Sequence, residues 1–568
     1  MQRSRALRPS NSRTTRSSLG AGARGFGMNV GNAALCRAQL SFGAMWASEW
    51  CATVAVSVVA YRDGGAPAVA LVTVVRMLPG ALVAPFAATL ADRHRRDHVL
   101  ACVGLVRAAT LAAAAALLIA GAPSAAVYAP IAAATLAQTL YRPAHSALLP
   151  ALCRTPEELT SANVVRGLLD SLATLLGPLG AAGLIVVGGA QAALAACALA
   201  SLMSALLLTG LRYDPPPRAA RSAGADARAV MQGFAAIAGD RGGLLLVTGL
   251  GIAQTFTRGA LNVVSVVVAI DLLDSGEAGV GVLNAALGAG AVLGSILTFR
   301  LLRRGALAMW LGLGVALWGL PLIVLGAVPE RLAAIALVAV IGFGNALIDA
   351  GGFTLLARLA DETVLARMFA AFEAILTFGT AVGALLTPLV IDLVGIRSAL
   401  VAVGLVAPIA VAARWAALRR LDARMRVRDA DIAVLHQVAV LRSLPQSTIE
   451  HLAASLQRVV FAPGATVLQD GDATESLYIV TAGRAEVTRG GGHVAQLGPG
   501  SYFGETIEPL PSDPPRTATV RATHDTALHV GVLARDRLVA AVAAFASSAK
   551  LAEDPARVPL RAALTAAA

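Results

Sequence analysis

Apolar runs of about 20 residues, each long enough to cross the hydrocarbon core of a bilayer as a helix, recur through residues 34–417 and alternate with short arginine-bearing connectors. Spans are expected near 34–61, 67–91, 99–121, 124–142, 163–187 and 190–211, then near 243–270, 278–299, 306–327, 332–352, 366–391 and 397–417. Of all 568 residues, 57% are hydrophobic and 14% charged, whereas soluble domains carry about 25% charge. The solvent for this part of the chain is therefore lipid. The expected fold class is an all-α polytopic membrane protein of twelve transmembrane helices, followed by a small β-rich domain.

The net charge of +12 does not form a nucleic-acid-binding stripe. Its arginines cluster at Arg93/Arg95/Arg96, Arg142/Arg154, Arg212/Arg218/Arg221/Arg228, Arg300/Arg303/Arg304, Arg358/Arg367 and Arg414/Arg419/Arg420. With the basic N-terminal tail, these clusters lie at the N-terminus, at even-numbered connectors or at the C-terminal end of the last span, and the other connectors are neutral or acidic (Asp271, Asp274, Glu277). Basic loops stay cytoplasmic, so both termini are expected inside a cell membrane, with the bilayer as partner and no nucleic acid. The five cysteines show no metal-ligand or disulfide spacing.

The division expected from composition is a basic disordered tail over 1–33, a six-helix bundle over 34–211, a cytoplasmic loop over 212–242 and a second bundle over 243–417. A linker over 418–433, a β-rich domain over 434–545 and a tail over 546–568 complete it. The halves echo each other. Glu49 aligns with Arg258 at an offset of 209, and Gln138 with Asn345 at an offset of 207. Two repeats in the same orientation suit a carrier whose halves rock about a central site.

The connector after the second span reads Leu90-Ala91-Asp92-Arg93-His94-Arg95-Arg96. It resembles the Gly-x-Leu-Ala-Asp-Arg-x-Gly-Arg-Arg loop of the major facilitator superfamily, with Ala88 where glycine is usual and no central glycine. The resemblance implies a cytoplasmic gate latched by Asp92, Arg93 and Arg96. Together with Tyr141-Arg142-Pro143 and Ser161-Ala162-Asn163, the loop is most similar to the branch of enterobactin and macrolide exporters. Gly177-Pro178 in the fifth span resembles the family's antiporter motif, which implies export of a small molecule.

Ionisable residues inside spans are costly and usually functional. Glu49, Arg76, Asp170, Arg258, Asp349 and Glu373 are such residues. Glu49 and Arg258 occupy equivalent repeat positions and are expected to face each other across the cavity, with Thr53 and Asn262 one turn along on the same faces. Glu49 leads as the proton-coupling group, since a carboxylate away from water exchanges protons in a useful range; Asp170 and Glu373 follow. The competing reading is a static ion pair of Glu49 with Arg76 or Arg258.

From Val434 short β-type runs appear between turn signals such as Pro463-Gly464, Gly471-Asp472 and Gly498-Pro499-Gly500, the pattern of a jelly-roll barrel. Phe503-Gly504-Glu505 and Pro515-Arg516-Thr517-Ala518 resemble the cyclic-nucleotide-binding domain of the catabolite activator protein and of protein kinase A regulatory subunits. The resemblance implies a regulatory ligand, cAMP or cGMP. Gly504 would open a short helix toward the phosphate, Glu505 would accept from the ribose, and Arg516 and Thr517 would donate to the phosphate. Glu508, Asp513 and a longer intervening segment depart from the pattern, which leaves open a barrel that has lost its ligand. Two functional classes follow: a carrier governed by cyclic nucleotide, or a membrane-anchored nucleotide receptor that transports nothing. No nucleophile–base set or phosphate-cradling loop supports an enzyme.

Overall fold

The computed structural model describes residues 32–537, except 94, 154–155, 212–222, 241–242, 303–305, 360–364, 437, 439–440, 442–448, 450–451, 454, 470–475, 491 and 505–517. The chain forms two compact units, Met1–Arg419 and Arg420–Ala568.

The first unit is helical. Its elements are α1 (Ala33–Arg93), α2 (Arg96–Ile119), α3 (Ser124–Gln138), α4 (Tyr141–Leu152), α5 (Pro156–Leu208), α6 (Ala223–Gly239), α7 (Leu244–Val267), α8 (Gly276–Leu302), α9 (Leu307–Ala327), α10 (Arg331–Leu359) and α11 (Leu365–Leu435). A π-turn, Val268–Leu272, ends α7. Among the described residues eight helices are long and apolar enough to cross a membrane. Three are interrupted by glycines with non-helical backbone: Gly64–Gly65 in α1, Gly188–Gly189 in α5 and Gly395 in α11. Gly65, Gly189 and Gly395 lie at positive φ, where a side chain is disfavoured. These breaks fall between the spans expected from hydropathy.

Glycines also set the packing of the halves. A Cβ on Gly281 of α8 would lie 2.5 Å from the Pro178 carbonyl oxygen, and one on Gly288 would lie 2.5 Å from that of Thr174. Within the N-terminal half, a Cβ on Gly177 would lie 2.8 Å from the Ala47 carbonyl oxygen. The Gly177-Pro178 step of α5 is thus a junction where α1 and α8 approach closely, as small residues permit between membrane helices. One apolar core runs through both halves, including Val54, Ala55, Leu194, Val264, Trp318 and Ile341.

The second unit contains the end of α11 and two four-stranded antiparallel sheets. The strands are β1 (Gln457–Phe461), β2 (Thr466–Leu468), β3 (Ser476–Ala482), β4 (Ala485–Arg489), β5 (Gly492–Leu497), β6 (Tyr502–Gly504), β7 (Thr519–Ala522) and β8 (Leu528–Ala534). Their orders are β1-β8-β3-β6 and β2-β7-β4-β5, a two-sheet jelly-roll arrangement. Leu468, Val480, Val520, Leu528 and Val530 pack between the sheets. A second cluster joins Ile432, Leu435, Ile449 and Leu452 to Leu477, Ile479 and Leu533 of β3 and β8. Arg458 of β1 donates through Nε to Asp431 Oδ1 at 2.9 Å, which ties the last turns of α11 to the barrel.

Candidate functional site

In the helical unit, Glu49 sits mid-way along the first segment of α1 and is clamped by two guanidiniums. Arg76 Nη2 reaches Oε1 at 2.8 Å and Arg107 Nη1 reaches Oε2 at 2.8 Å. Arg76 is 6% and Arg107 1% exposed. Arg76 also donates from Nη2 to Thr53 Oγ1 and from Nε to Thr135 Oγ1, and Arg107 Nη1 donates to the Ala134 carbonyl. Glu49 therefore does not meet Arg258 across the cavity. Both its oxygens are occupied by arginines of its own half, the ion-pair alternative of the sequence reading with a second cation added. Arg107 was missed, although the same signal marks it: a lone charge in the middle of an apolar run, Leu105-Val106-Arg107-Ala108.

Beside this clamp lies a polar cavity walled by both halves. Thr53, Ser57, Thr73 and Arg76 line it from the N-terminal half, and Asn262 and Asn284 from the C-terminal half. Thr53 and Asn262 do share this space.

Arg258 belongs to a second set of charges. Its field reaches Asp170 of α5 and Asp349 of α10, and Glu373 of α11 acts on Asp349. Arg142 Nη2 pairs with Asp170 Oδ2 at 3.1 Å and stacks over Trp46 at 5.2 Å. Asn345 Nδ2 donates to Asp349 Oδ2 at 2.8 Å. Arg142, Arg258, Asp349 and Glu373 are exposed, so this cluster, unlike the Glu49 clamp, is open.

At the end of the bundle where α1 breaks, the halves are joined by charge. Arg62 pairs with Glu277 and Tyr61 donates to Asp271. Neither contact is marked in the sequence, where the acidic connector reads only as a topology signal. At the opposite end Arg95 pairs with the buried Asp97 at 3.2 Å. The side chains of Asp92 and Arg93 lie outside the described residues; Arg96 opens α2.

In the barrel, Gly504 ends β6 at φ 105°. β6 pairs with β3 in the register Tyr478↔Phe503, and these two rings stack at 5.3 Å. A Cβ on Gly504 would strike the Ser476 carbonyl, so glycine is required where the strand turns away. Glu505, Arg516 and Thr517 lie outside the described residues.

A polytopic helical bundle with a polar cavity between two halves, carrying a jelly-roll barrel, defines a membrane transporter fold with a nucleotide-binding type of domain. The Major Facilitator Superfamily model matches residues 40–256 and 249–464, two matches starting 209 residues apart, and the chain belongs to that superfamily. The cyclic nucleotide-binding domain model matches residues 458–544. The protein is a multi-pass membrane protein, and neither family is enzymatic. Among solved structures, a POT family transporter in complex with a thioalcohol-conjugated peptide shares the fold (TM-score 0.56, 13% identity, 68% of this chain and 96% of that one). The nucleoside transporter NupG does so equally (TM-score 0.56, 14% identity, 68% and 99%). A cAMP-dependent protein kinase regulatory subunit of Yarrowia lipolytica is 39% identical over 118 residues, 20% of this chain and 30% of that protein. The chain thus spans under a third of that relative's length.

Proposed function

We propose that this protein is a twelve-helix secondary carrier that exports a small molecule against proton entry, under control of a cyclic nucleotide bound in its C-terminal barrel. The count of twelve follows when each glycine interruption of α1, α5 and α11 separates two crossings and α3 with α4 makes one. Both termini then lie on one face, the cytoplasmic one by the arginine bias of its connectors.

The observation that carries the reading is the polar cavity shared by the two halves beside the Glu49–Arg76 pair. Contacts between Arg62 and Glu277 and between Tyr61 and Asp271 close the end far from the termini, while Arg258, Asp349 and Glu373 remain exposed. Such an arrangement suits one extreme of a rocking cycle. Glu49 anchors Arg76 beside the cavity. Proton exchange falls to the open carboxylates Asp349 and Glu373, with Asp170, around Arg258. Latching by Asp92, Arg93 and Arg96 would close the near end in the other extreme. In the barrel, Gly504, Glu505, Arg516 and Thr517 would hold the nucleotide, which shifts the carrier only if it prefers one conformer.

The test is the accessibility of Ser57, which lines the cavity. A Ser57→Cys variant in sealed vesicles is expected to react with a membrane-impermeant maleimide applied from either face. Reaction from a single face under all conditions would support the membrane-anchored receptor instead.

A further inference from the structure

A groove lies between α9 and the last segment of α11, away from the polar cavity. Met309, Trp310, Leu313 and Ala316 line it from α9, and Val411 and Trp415 from α11. At its base a Cβ on Gly312 would lie 2.8 Å from Leu418 Cδ1, so the two helices meet there through a small residue. The groove encloses about 370 Å³, within the range of about 300–1,000 Å³ typical of ligand pockets. Its lining side chains are apolar apart from two indole N–H groups. Leu313 is 40% and Trp415 46% exposed, so the rest of the bundle leaves the groove open.

One end of the groove is basic. Trp310 stands in the first turn of α9, and Trp415 stands two residues before the end of the last apolar span, 397–417. Tryptophans at span ends belong to the membrane–water interface, where the ring is apolar and the N–H meets polar groups. Neither indole N–H has a partner among the described residues. Val411, Trp415 and Arg419 follow one another at intervals of four on α11, so Arg419 continues the same face one turn past the groove. Arg414, three residues after Val411, flanks it. Both arginines are exposed and make no hydrogen bond or ion pair among the described residues. The next carboxylate along α11, Asp422, is buried at 2% exposure.

An apolar groove that runs out beneath two unpaired guanidiniums fits an amphiphile with a hydrocarbon tail and a negative head. A soluble anion would use only the arginines, and a neutral lipid only the groove. A second copy related by a two-fold axis along the membrane normal would bring the same arginines face to face. We propose that the groove is a specific site for an anionic phospholipid of the surrounding bilayer. One acyl chain lies over Gly312 between α9 and α11. The ester carbonyls accept from the indoles of Trp310 and Trp415, and the headgroup phosphate accepts from Arg414 and Arg419. The site requires α9 and the last segment of α11 to cross the bilayer and does not depend on transport.

The experiment is tryptophan quenching in the full-length protein, one copy per phosphatidylcholine nanodisc. A fixed fraction of the lipid is replaced by dibrominated phosphatidylglycerol or dibrominated phosphatidylcholine, whose bromines quench an indole on contact. Phosphatidylglycerol is expected to bind about 25-fold more tightly than phosphatidylcholine, about fivefold from each arginine. Arg414→Gln and Arg419→Gln should each lose about fivefold of that preference and leave quenching by phosphatidylcholine unchanged. Trp310→Phe with Trp415→Phe should abolish the preferential quenching, which places it in the groove. Equal affinity for the two lipids would overturn the proposal. So would a preference that survives the double arginine change, or one still read by the remaining tryptophans after the double tryptophan change. Absence of quenching by either lipid, with copies pairing in larger discs, would give the groove to a second copy and overturn it too.

Discussion

Two buried arginines on one carboxylate make Glu49 an expensive side chain to remove. A Glu49→Leu substitution leaves Arg76 and Arg107 without their counter-charge, which is expected to cost about 3–5 kcal/mol and to lower the unfolding midpoint of the detergent-solubilised protein. Adding Arg107→Met should recover part of that loss, because the excess charge leaves with it; a further fall would contradict the clamp. At Gly504 the cost is backbone. An alanine there needs φ 105° and meets the Ser476 carbonyl, so Gly504→Ala should weaken the β3–β6 pairing by about 1–3 kcal/mol, read as faster hydrogen exchange at Tyr478 and Phe503. The sequence showed which residues carry charge inside the spans, but not which of them meet. Glu49 and Arg258 are related by the repeat, and repeat symmetry fixes their depth in the bilayer. It does not fix the partner, which Arg76 and Arg107 supply from within the same half.

Helix boundaries were the most legible feature, since the hydropathy breaks near 62–66, 188–189 and 392–396 coincide with the interrupted backbone at Gly64–Gly65, Gly188–Gly189 and Gly395. Less legible was the role of glycines inside helices. Gly281 and Gly288 look like ordinary membrane-helix composition in the sequence, yet they bring α8 onto α5 at backbone distance. Gly281→Val is expected to overpack this contact at about 1–3 kcal/mol, seen as a lower unfolding midpoint. Arg62 and Glu277 act differently, being 55% and 25% exposed. An exposed pair contributes about 0–1 kcal/mol, too little to hold the bundle together but enough to bias a balanced equilibrium. Arg62→Glu should leave the midpoint within about 0.5 kcal/mol of its original stability while speeding the labelling of Ser57→Cys from the far face. The double change with Glu277→Arg should restore the original rate.

For the molecule as a whole, the contrast between apolar spans and an alternating, glycine-punctuated C-terminal segment was enough to separate bundle from barrel. The barrel's strands follow the turn signals read at Pro463-Gly464 and Gly498-Pro499-Gly500, with Gly464 and Gly500 both at positive φ. Substrate chemistry was not legible, because it depends on which polar groups of the two halves come to line one cavity after packing, as Thr53 and Asn262 do. A nucleotide bound at Arg516 should lose affinity about a hundredfold in Arg516→Ala, measurable by calorimetry of the full-length protein with cAMP and cGMP. Control of the carrier by its barrel would show in the labelling rate of Ser57→Cys from each vesicle face while cAMP or cGMP is added on the barrel side. Nucleotide is expected to raise the rate at one face, lower it at the other, and do neither when Arg516→Ala is also present. Rates at both faces that ignore the nucleotide, while calorimetry shows it bound, would contradict it.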